Sequence, residues 1–124
     1  MKLLLDTQVM LWWLLGDARL RASTRDLIGR TACVVSVASI WKVSIKHRLG
    51  KLPVDPASFR DACLAAGATV MPISDVHVIA SGTLPDIHQD PFDRLLIAQA
   101  AVERCTAVSS DARWDGYGIA LVRP

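Results

Sequence analysis

The amino-acid sequence predicts one α/β domain over residues 1–124, in which a parallel sheet carries helices on both faces. The chain has 124 residues, and domains run to roughly 100–200 residues, so the length fits a single domain. Its residues are 52% hydrophobic and 21% charged, which excludes a disordered chain. Short apolar runs alternate with segments of helical periodicity about five times, and this alternation indicates parallel strands joined by helices.

The first half of the chain contains two predicted strands and four predicted helices. The strands lie at 2–5 and 32–35, and the helices at 7–15, 23–30, 37–48 and 57–66. Ser23 or Thr24 can cap the second helix, with Asp26 in its first turn. Ser36 caps the third helix, and Gly50 ends it.

The second half of the chain continues the alternation. Strands are predicted at 69–73, 106–109 and 119–122, helices at 74–81 and 91–104, a loop at 84–90, and a turn or short helix at 111–115. Pro72 lacks a backbone donor, so it places the first of these strands at an edge of the sheet. Asp90 suits the cap of the long helix, and Pro91 suits its first position.

The charges are nearly balanced, with 14 Lys and Arg against 12 Asp and Glu and a formal net charge of +2. This balance excludes a histone-like cationic coat, so any nucleic acid would be bound by a local patch. Cys33, Cys63 and Cys105 have no paired spacing, which disfavours disulfides and zinc and favours a reduced, cytoplasmic protein. The apolar stretch at 9–15 is far shorter than the ~18–20 residues of a membrane span, so we expect neither a signal peptide nor a membrane segment.

Several carboxylates follow the predicted strands. Asp6 follows the first strand, Asp111 follows the strand at 106–109, and Asp93 lies at the start of the long helix. Because right-handed crossovers bring the carboxyl ends of parallel strands to one edge, where ligand sites lie, we expect these side chains to converge. Three carboxylates without His or Cys suit Mg²⁺ or Mn²⁺, which usually act on phosphate substrates.

Each of these acids also has a structural explanation. Asp90 can be a helix cap, Asp93 can complete a capping box, and Asp111 can form an Asx turn. Asp6 is the hardest to explain in this way, because Thr7 could cap the first helix and a buried carboxylate needs a partner or a metal.

The other polar groups give weaker signals. His77 and His88 lack a ligand spacing with each other or with a pair of acids. A basic run at the end of the third helix is either a solvated helix terminus or a set of contacts to a phosphate backbone. The run consists of Lys46, His47, Arg48 and Lys51. No phosphate-loop, dinucleotide-binding or nucleophile-elbow motif is present.

Taken together, these segments resemble PIN-domain proteins of the VapC toxin type. The resemblance is carried, in order along the chain, by LLLDTQ at 3–8, LWWL at 11–14, VSVASIW at 35–41, LGKL at 49–52, DPFDRLLIAQA at 90–100, SDAR at 110–113 and YG at 117–118. Each segment alone is weakly specific, but their common register covers nearly the whole chain.

The resemblance implies a three-layer α/β/α sandwich on a central, mostly parallel sheet. It implies a Mg²⁺- or Mn²⁺-dependent ribonuclease that cleaves structured RNA and is held inactive by a cognate VapB-type antitoxin. The metal-binding acids of the family map onto Asp6, Asp93 and Asp111, and Asp90 takes a supporting role. Family likeness also suggests a homodimer.

Basic side chains near these acids are the candidates for contacts to RNA phosphates. The candidates are Arg94, Lys46, Arg48 and Lys51. Unpaired loops are the expected targets, because sequence-specific recognition of RNA favours unpaired bases.

One position departs from the family pattern, since Lys42 stands where the family has its second acid, a glutamate. Helical periodicity turns position 42 inward, so we expect its ammonium to pair with Asp6, Asp93 and Asp111 and to compete with the metal. Alternatively, Lys42 extends to the edge of the site and leaves the metal in place. The first case makes this chain an attenuated nuclease, or a catalytically inactive pseudo-nuclease that binds antitoxin or RNA.

Overall fold

The computed structural model describes all residues from Met1 to Pro124. A five-stranded sheet runs through the middle of the domain in the order β3-β2-β1-β4-β5, and every neighbouring pair of strands is parallel. The strands are β1 (Lys2–Leu5), β2 (Ala32–Ser36), β3 (Thr69–Met71), β4 (Thr106–Val108) and β5 (Leu121–Val122). The predicted α/β class and the parallel sheet are therefore confirmed.

Six α-helices and one 3₁₀ helix connect the strands. The α-helices are α1 (Thr7–Leu15), α2 (Ala22–Gly29), α3 (Val37–Arg48), α4 (Pro56–Ala65), α5 (Asp75–Gly82) and α6 (Pro91–Glu103), and the 3₁₀ helix is Ala112–Tyr117. None of these helices combines the length and the apolar character that crossing a bilayer requires.

Two apolar cores lie on opposite faces of the sheet, because successive side chains of a strand point to opposite sides. Leu3 and Leu5 of β1 pack into the core that α1, α2 and α4 cover. Leu4 packs into the other core, against α6 and the 3₁₀ helix. All three side chains are fully buried, so β1 is the centre of a three-layer sandwich.

The predicted element boundaries differ from the structure at two informative places. The strand predicted at 69–73 ends at Met71, next to Pro72, and it is an edge strand as expected. The capping of α2 by Ser23 or Thr24 is wrong, because its N-cap is Arg21, which makes no side-chain capping bond. Thr24 Oγ1 instead donates to the carbonyl oxygen of Arg123 at 3.3 Å, which ties α2 to the end of the chain.

Candidate metal centre

Asp6 lies where β1 ends and α1 begins, and it serves both elements. Its Oδ1 accepts a hydrogen bond of 2.7 Å from the backbone amide of Val9, so Asp6, and not Thr7, caps α1. Its Oδ2 accepts a bond of 2.6 Å from the hydroxyl of Ser109, which follows β4. Only 6% of Asp6 is exposed, and this burial raises its pKa above the ordinary range. The capping role alone does not account for the second oxygen.

Asp93 stands in the first turn of α6, and Asp90 fixes where that turn begins. Asp90 Oδ1 accepts from the backbone amide of Phe92 at 2.8 Å, so the predicted N-cap is confirmed. Burial raises the pKa of Asp93, although the nearby Lys42 ammonium opposes that rise.

Asp111 caps the 3₁₀ helix beyond β4. Arg113 donates to both carboxylate oxygens, from Nε to Oδ1 at 3.0 Å and from Nη2 to Oδ2 at 2.9 Å. The hydrogen bonds from Arg113 are the main reason that the pKa of Asp111 lies well below its usual range. No sequence pattern predicts a role for Arg113, because its pairing with Asp111 depends on the turn of the 3₁₀ helix.

The three carboxylates meet in one pocket at the carboxyl edge of the sheet, with a volume of about 260 Å³. No hydrophobic residue lines this pocket. Its lining consists of Asp6, Thr7, Gln8, Lys42, Asp90, Asp93, Ser110, Asp111 and Arg113. Asp6, Asp93 and Asp111 come from three separate segments, and the parallel pairing of β1 with β4 brings the first and last of them together.

Lys42 lines the same pocket, but its ammonium does not pair with the three acids as expected. Its Nζ lies 3.8 Å from Oδ2 of Asp90, and its side chain is 22% exposed. Asp90 reaches it because Oδ1 is held by the start of α6, which leaves Oδ2 facing α3. The direct ion pair is therefore at the rim of the pocket, and the influence of Lys42 on Asp93 is exerted without contact.

His88 is a site residue that the sequence did not reveal. Its Nε2 lies 2.9 Å from Oδ2 of Asp111 and 3.3 Å from Oδ2 of Asp93, and only 1% of the residue is exposed. One ligand atom from each of the three residues falls within 4.8 Å of the others. Spacing rules missed His88 because it lies in the loop before α6 and meets Asp111 only through the fold.

The basic residues that the sequence proposed for RNA contacts occupy different surroundings. Arg94 uses Nη1 and Nη2 to donate to four backbone carbonyls, those of Ser81, Leu84, Pro85 and His88. It therefore holds the loop that carries His88, and its contact to a phosphate stays a prediction. Lys46, Arg48 and Lys51 are exposed at the end of α3, where a phosphate contact also stays a prediction.

The donor chemistry of the pocket fits a hard divalent cation. Carboxylate oxygens are the ligands that Mg²⁺ and Mn²⁺ prefer, and four acids face this pocket against the two cationic side chains of Lys42 and Arg113. Burial raises the pKa values of Asp6 and Asp93, so the ionised carboxylates have a deficit of stabilising positive charge at this site. A cation bound among Asp6, Asp93 and Asp111 would offset that deficit.

The structure is an α/β domain with a parallel sheet and an acidic pocket at its carboxyl edge, and the oxygen donors of that pocket suit a hard cation. A family model described as the PIN domain matches residues 3–119 of this chain. The chain belongs to the PIN domain family. A sequence search of curated proteins found no match.

Solved structures share this fold over nearly their whole length. VapBC2 from Rickettsia felis, bound to a DNA fragment from its promoter, superposes with a TM-score of 0.76 at 14% identity, covering 99% of this chain and 98% of the other. DNA-bound VapBC from Salmonella typhimurium gives 0.69 at 13% identity over 99% and 98%. Mycobacterium tuberculosis VapC20, described as a sarcin-ricin loop cleaving toxin, gives 0.66 at 16% identity over 98% and 99%.

Proposed function

We propose that this chain is a metal-dependent endoribonuclease toxin of the VapC type, paired with a cognate VapB-type antitoxin. The observation that carries the proposal is the meeting of Asp6, Asp93 and Asp111 in one polar pocket. Membership of the PIN family and likeness to VapC20, a toxin that cleaves RNA, support a nuclease. Likeness to complexes of toxin with antitoxin supports a protein partner, and we expect the toxin to be a homodimer.

Asp6, Asp93 and Asp111 would hold Mg²⁺ or Mn²⁺ through carboxylate oxygens. When bound, the ion would polarise a phosphoryl oxygen and activate water for in-line displacement, which leaves 5′-phosphate and 3′-hydroxyl ends. The residues around the ligands keep them in place. Ser109 holds one oxygen of Asp6, and Arg113 holds both oxygens of Asp111.

RNA would approach along the exposed end of α3. Lys46, Arg48 and Lys51 lie there without carboxylate partners within 4.0 Å and are our candidates for contacts to phosphates. Such contacts attract any RNA sequence, so the choice of target would depend on the shape of a loop and on unpaired bases.

Lys42 carries a second proposal, that this chain is an attenuated nuclease. Its ammonium lines the metal pocket and lowers the negative potential at Asp93, so it weakens the attraction for a cation. In the extreme case the chain is a pseudo-nuclease that still binds the antitoxin or RNA but no longer binds the metal. A Mg²⁺ titration separates the two cases, because only the attenuated nuclease binds the ion at high concentration.

The test compares RNA cleavage by the native chain with that by Lys42→Glu, over a range of Mg²⁺ concentrations and with a chelator. We expect the variant to cleave at least about tenfold faster, which corresponds to ~1.4 kcal/mol. Lys2→Glu is the matched control, because it makes the same charge change at the exposed amino end of β1, whereas the pocket lies at the carboxyl ends of the strands. The control should cleave like the native chain.

Equal cleavage by the native chain and Lys42→Glu would refute attenuation and leave the nuclease proposal in place. Cleavage that persists in the chelator would refute the metal dependence. If neither protein cleaves RNA and neither binds Mg²⁺ by calorimetry, the nuclease proposal fails as a whole.

A further inference from the structure

His88 is fixed in place by all of its polar groups. Its backbone amide donates to the phenol oxygen of Tyr117 at 2.7 Å, and its carbonyl accepts from Nη1 of Arg94 at 3.3 Å. The ring is buried and lies between the start of α6 and the start of the 3₁₀ helix. Each ring nitrogen therefore meets a defined partner.

The partner of Nδ1 determines where the ring carries its proton. The backbone amide of Asp90 donates to Nδ1 at 3.1 Å, and an amide nitrogen can only donate. Nδ1 must therefore present its lone pair, so the proton is on Nε2. Nε2 in turn faces Oδ2 of Asp111 and Oδ2 of Asp93, which are both acceptors.

We infer that His88 is a positioning residue that donates its Nε2 proton to Asp93 and Asp111, holds these two carboxylates together, and is not itself a metal ligand. The inference rests on the proposed function, because that function gives the two carboxylates their role. It assigns the protein's metal to carboxylate oxygens alone. The ring of His88 is excluded as a ligand although its nitrogen and the oxygens of Asp93 and Asp111 lie within 4.8 Å of one another.

Metal binding by the ring would require the opposite tautomer. A coordinating Nε2 needs its lone pair, which moves the proton to Nδ1. Two N–H groups would then face each other between His88 and Asp90, where 3.1 Å now separates the donor and acceptor nitrogens. The amide of Asp90 is held by the turn that begins α6, so it cannot rotate away without disturbing the position of Asp93.

The bridging proton also has a positive purpose. Two carboxylates that share one site repel each other when both are ionised. A donor between the two Oδ2 atoms reduces that repulsion and fixes the distance between the two carboxylates. Such outer groups typically change metal affinity about 10–100-fold when they are removed.

The first test observes the tautomer directly, by long-range ¹H–¹⁵N NMR of the full chain labelled at histidine. We expect the free chain to show His88 as the Nε2–H tautomer, and we expect the same pattern after Mg²⁺ is added. A proton on Nδ1 in the free chain, or its transfer to Nδ1 on adding Mg²⁺, would overturn the inference.

The second test uses two variants, each of which reproduces the hydrogen bond of one of the two ring nitrogens. His88→Gln places an amide nitrogen near the position of Nε2 and so keeps the donor, whereas His88→Asn keeps only an acceptor for the amide of Asp90. We expect Mg²⁺ affinity, measured by calorimetry, to fall about 10–100-fold in His88→Asn and much less in His88→Gln. Equal losses in both variants would show that the donor is not what matters.

The two proposals fail in different ways. If Mg²⁺ leaves the amide resonances of Asp93 and Asp111 unchanged in the native chain, the metal site of the proposed function is refuted. The tautomer of the free chain still decides the inference in that case, because the hydrogen bonds of His88 do not depend on the ion.

Discussion

Asp6 has a structural role as a helix cap and a proposed role as a metal ligand. Its carboxylate caps α1 through one oxygen and is bound to Ser109 through the other, inside a buried site. Asparagine, which is uncharged, caps a helix about as well as aspartate does, so the cap itself does not require a charge. The negative charge of Asp6 therefore lowers the stability of the fold when no metal is bound.

We expect Asp6→Asn to stabilise the metal-free chain at neutral pH by roughly 1–3 kcal/mol, the scale of a buried polar group that is poorly compensated. Because burial raises the folded-state pKa of Asp6, its contribution to stability is greatest below the ordinary carboxyl pKa and is lost as the pH rises through the raised value. The gain from Asp6→Asn should therefore shrink on acidification. Thermal unfolding over a pH series measures it.

Asp26→Asn is the control for this experiment. Asp26 is exposed and pairs with Arg30, the residue that follows α2, so its replacement should change stability by no more than about 0.5 kcal/mol. A loss of stability in Asp6→Asn at neutral pH would contradict the account. Mg²⁺ binding should be weakened in Asp6→Asn and unchanged in the control.

At the scale of single elements, the start of α6 combines a cap, an ion pair and the position of Asp93. Asp90 Oδ1 binds the backbone, and its Oδ2 faces the ammonium of Lys42. The ion pair is 3.8 Å long and partly exposed, so it contributes little compared with the cap.

Asp90→Ala should therefore destabilise the chain by about 1 kcal/mol, since it removes the cap, whereas Asp90→Asn should cost clearly less because it keeps the cap and loses only the ion pair. Urea unfolding of the two variants measures the difference. If both variants lost the same stability, the ion pair with Lys42 and not the cap would be the main contribution.

The elements were largely predictable from the sequence because their signals are local. Asp90 and Pro91 mark the start of α6, and Pro72 marks the end of an edge strand, each through a backbone property of one residue. The capping of α2 was not predictable, because Thr24 was diverted to a carbonyl 99 residues away. Local preference loses to a tertiary contact in such cases.

The site was only partly predictable, for the same reason. Parallel topology was enough to expect Asp6, Asp93 and Asp111 at one edge, since strand ends are visible in the sequence. The approach of His88 to Asp111 depends on the path of an irregular loop that Arg94 anchors. The partner of Lys42 depended on which oxygen of Asp90 the helix had already taken.

For the whole molecule, the central position of β1 predicts a gradient of local stability. β1 is bonded on both sides and fully buried at Leu3, Leu4 and Leu5, whereas β5 has two residues and lies at an edge. In native-state hydrogen exchange, we expect β1 amides to exchange only on global unfolding and β5 amides through local opening. Protection of β5 equal to that of β1 would contradict this expectation. The amides of β2, bonded on both sides, are the internal standard.

The hydrogen bond between Ser109 and Asp6 joins residues 103 positions apart. Because a ribosome synthesises a protein from its N-terminus, Asp6 is made before β4, and the hydrogen bond can form only after β4 has paired with β1. Until Asp111 has also emerged, the nascent chain holds only part of the pocket. Assembly of the pocket, and with it the proposed nuclease activity, therefore has to follow the emergence of both Asp6 and Asp111 from the ribosome.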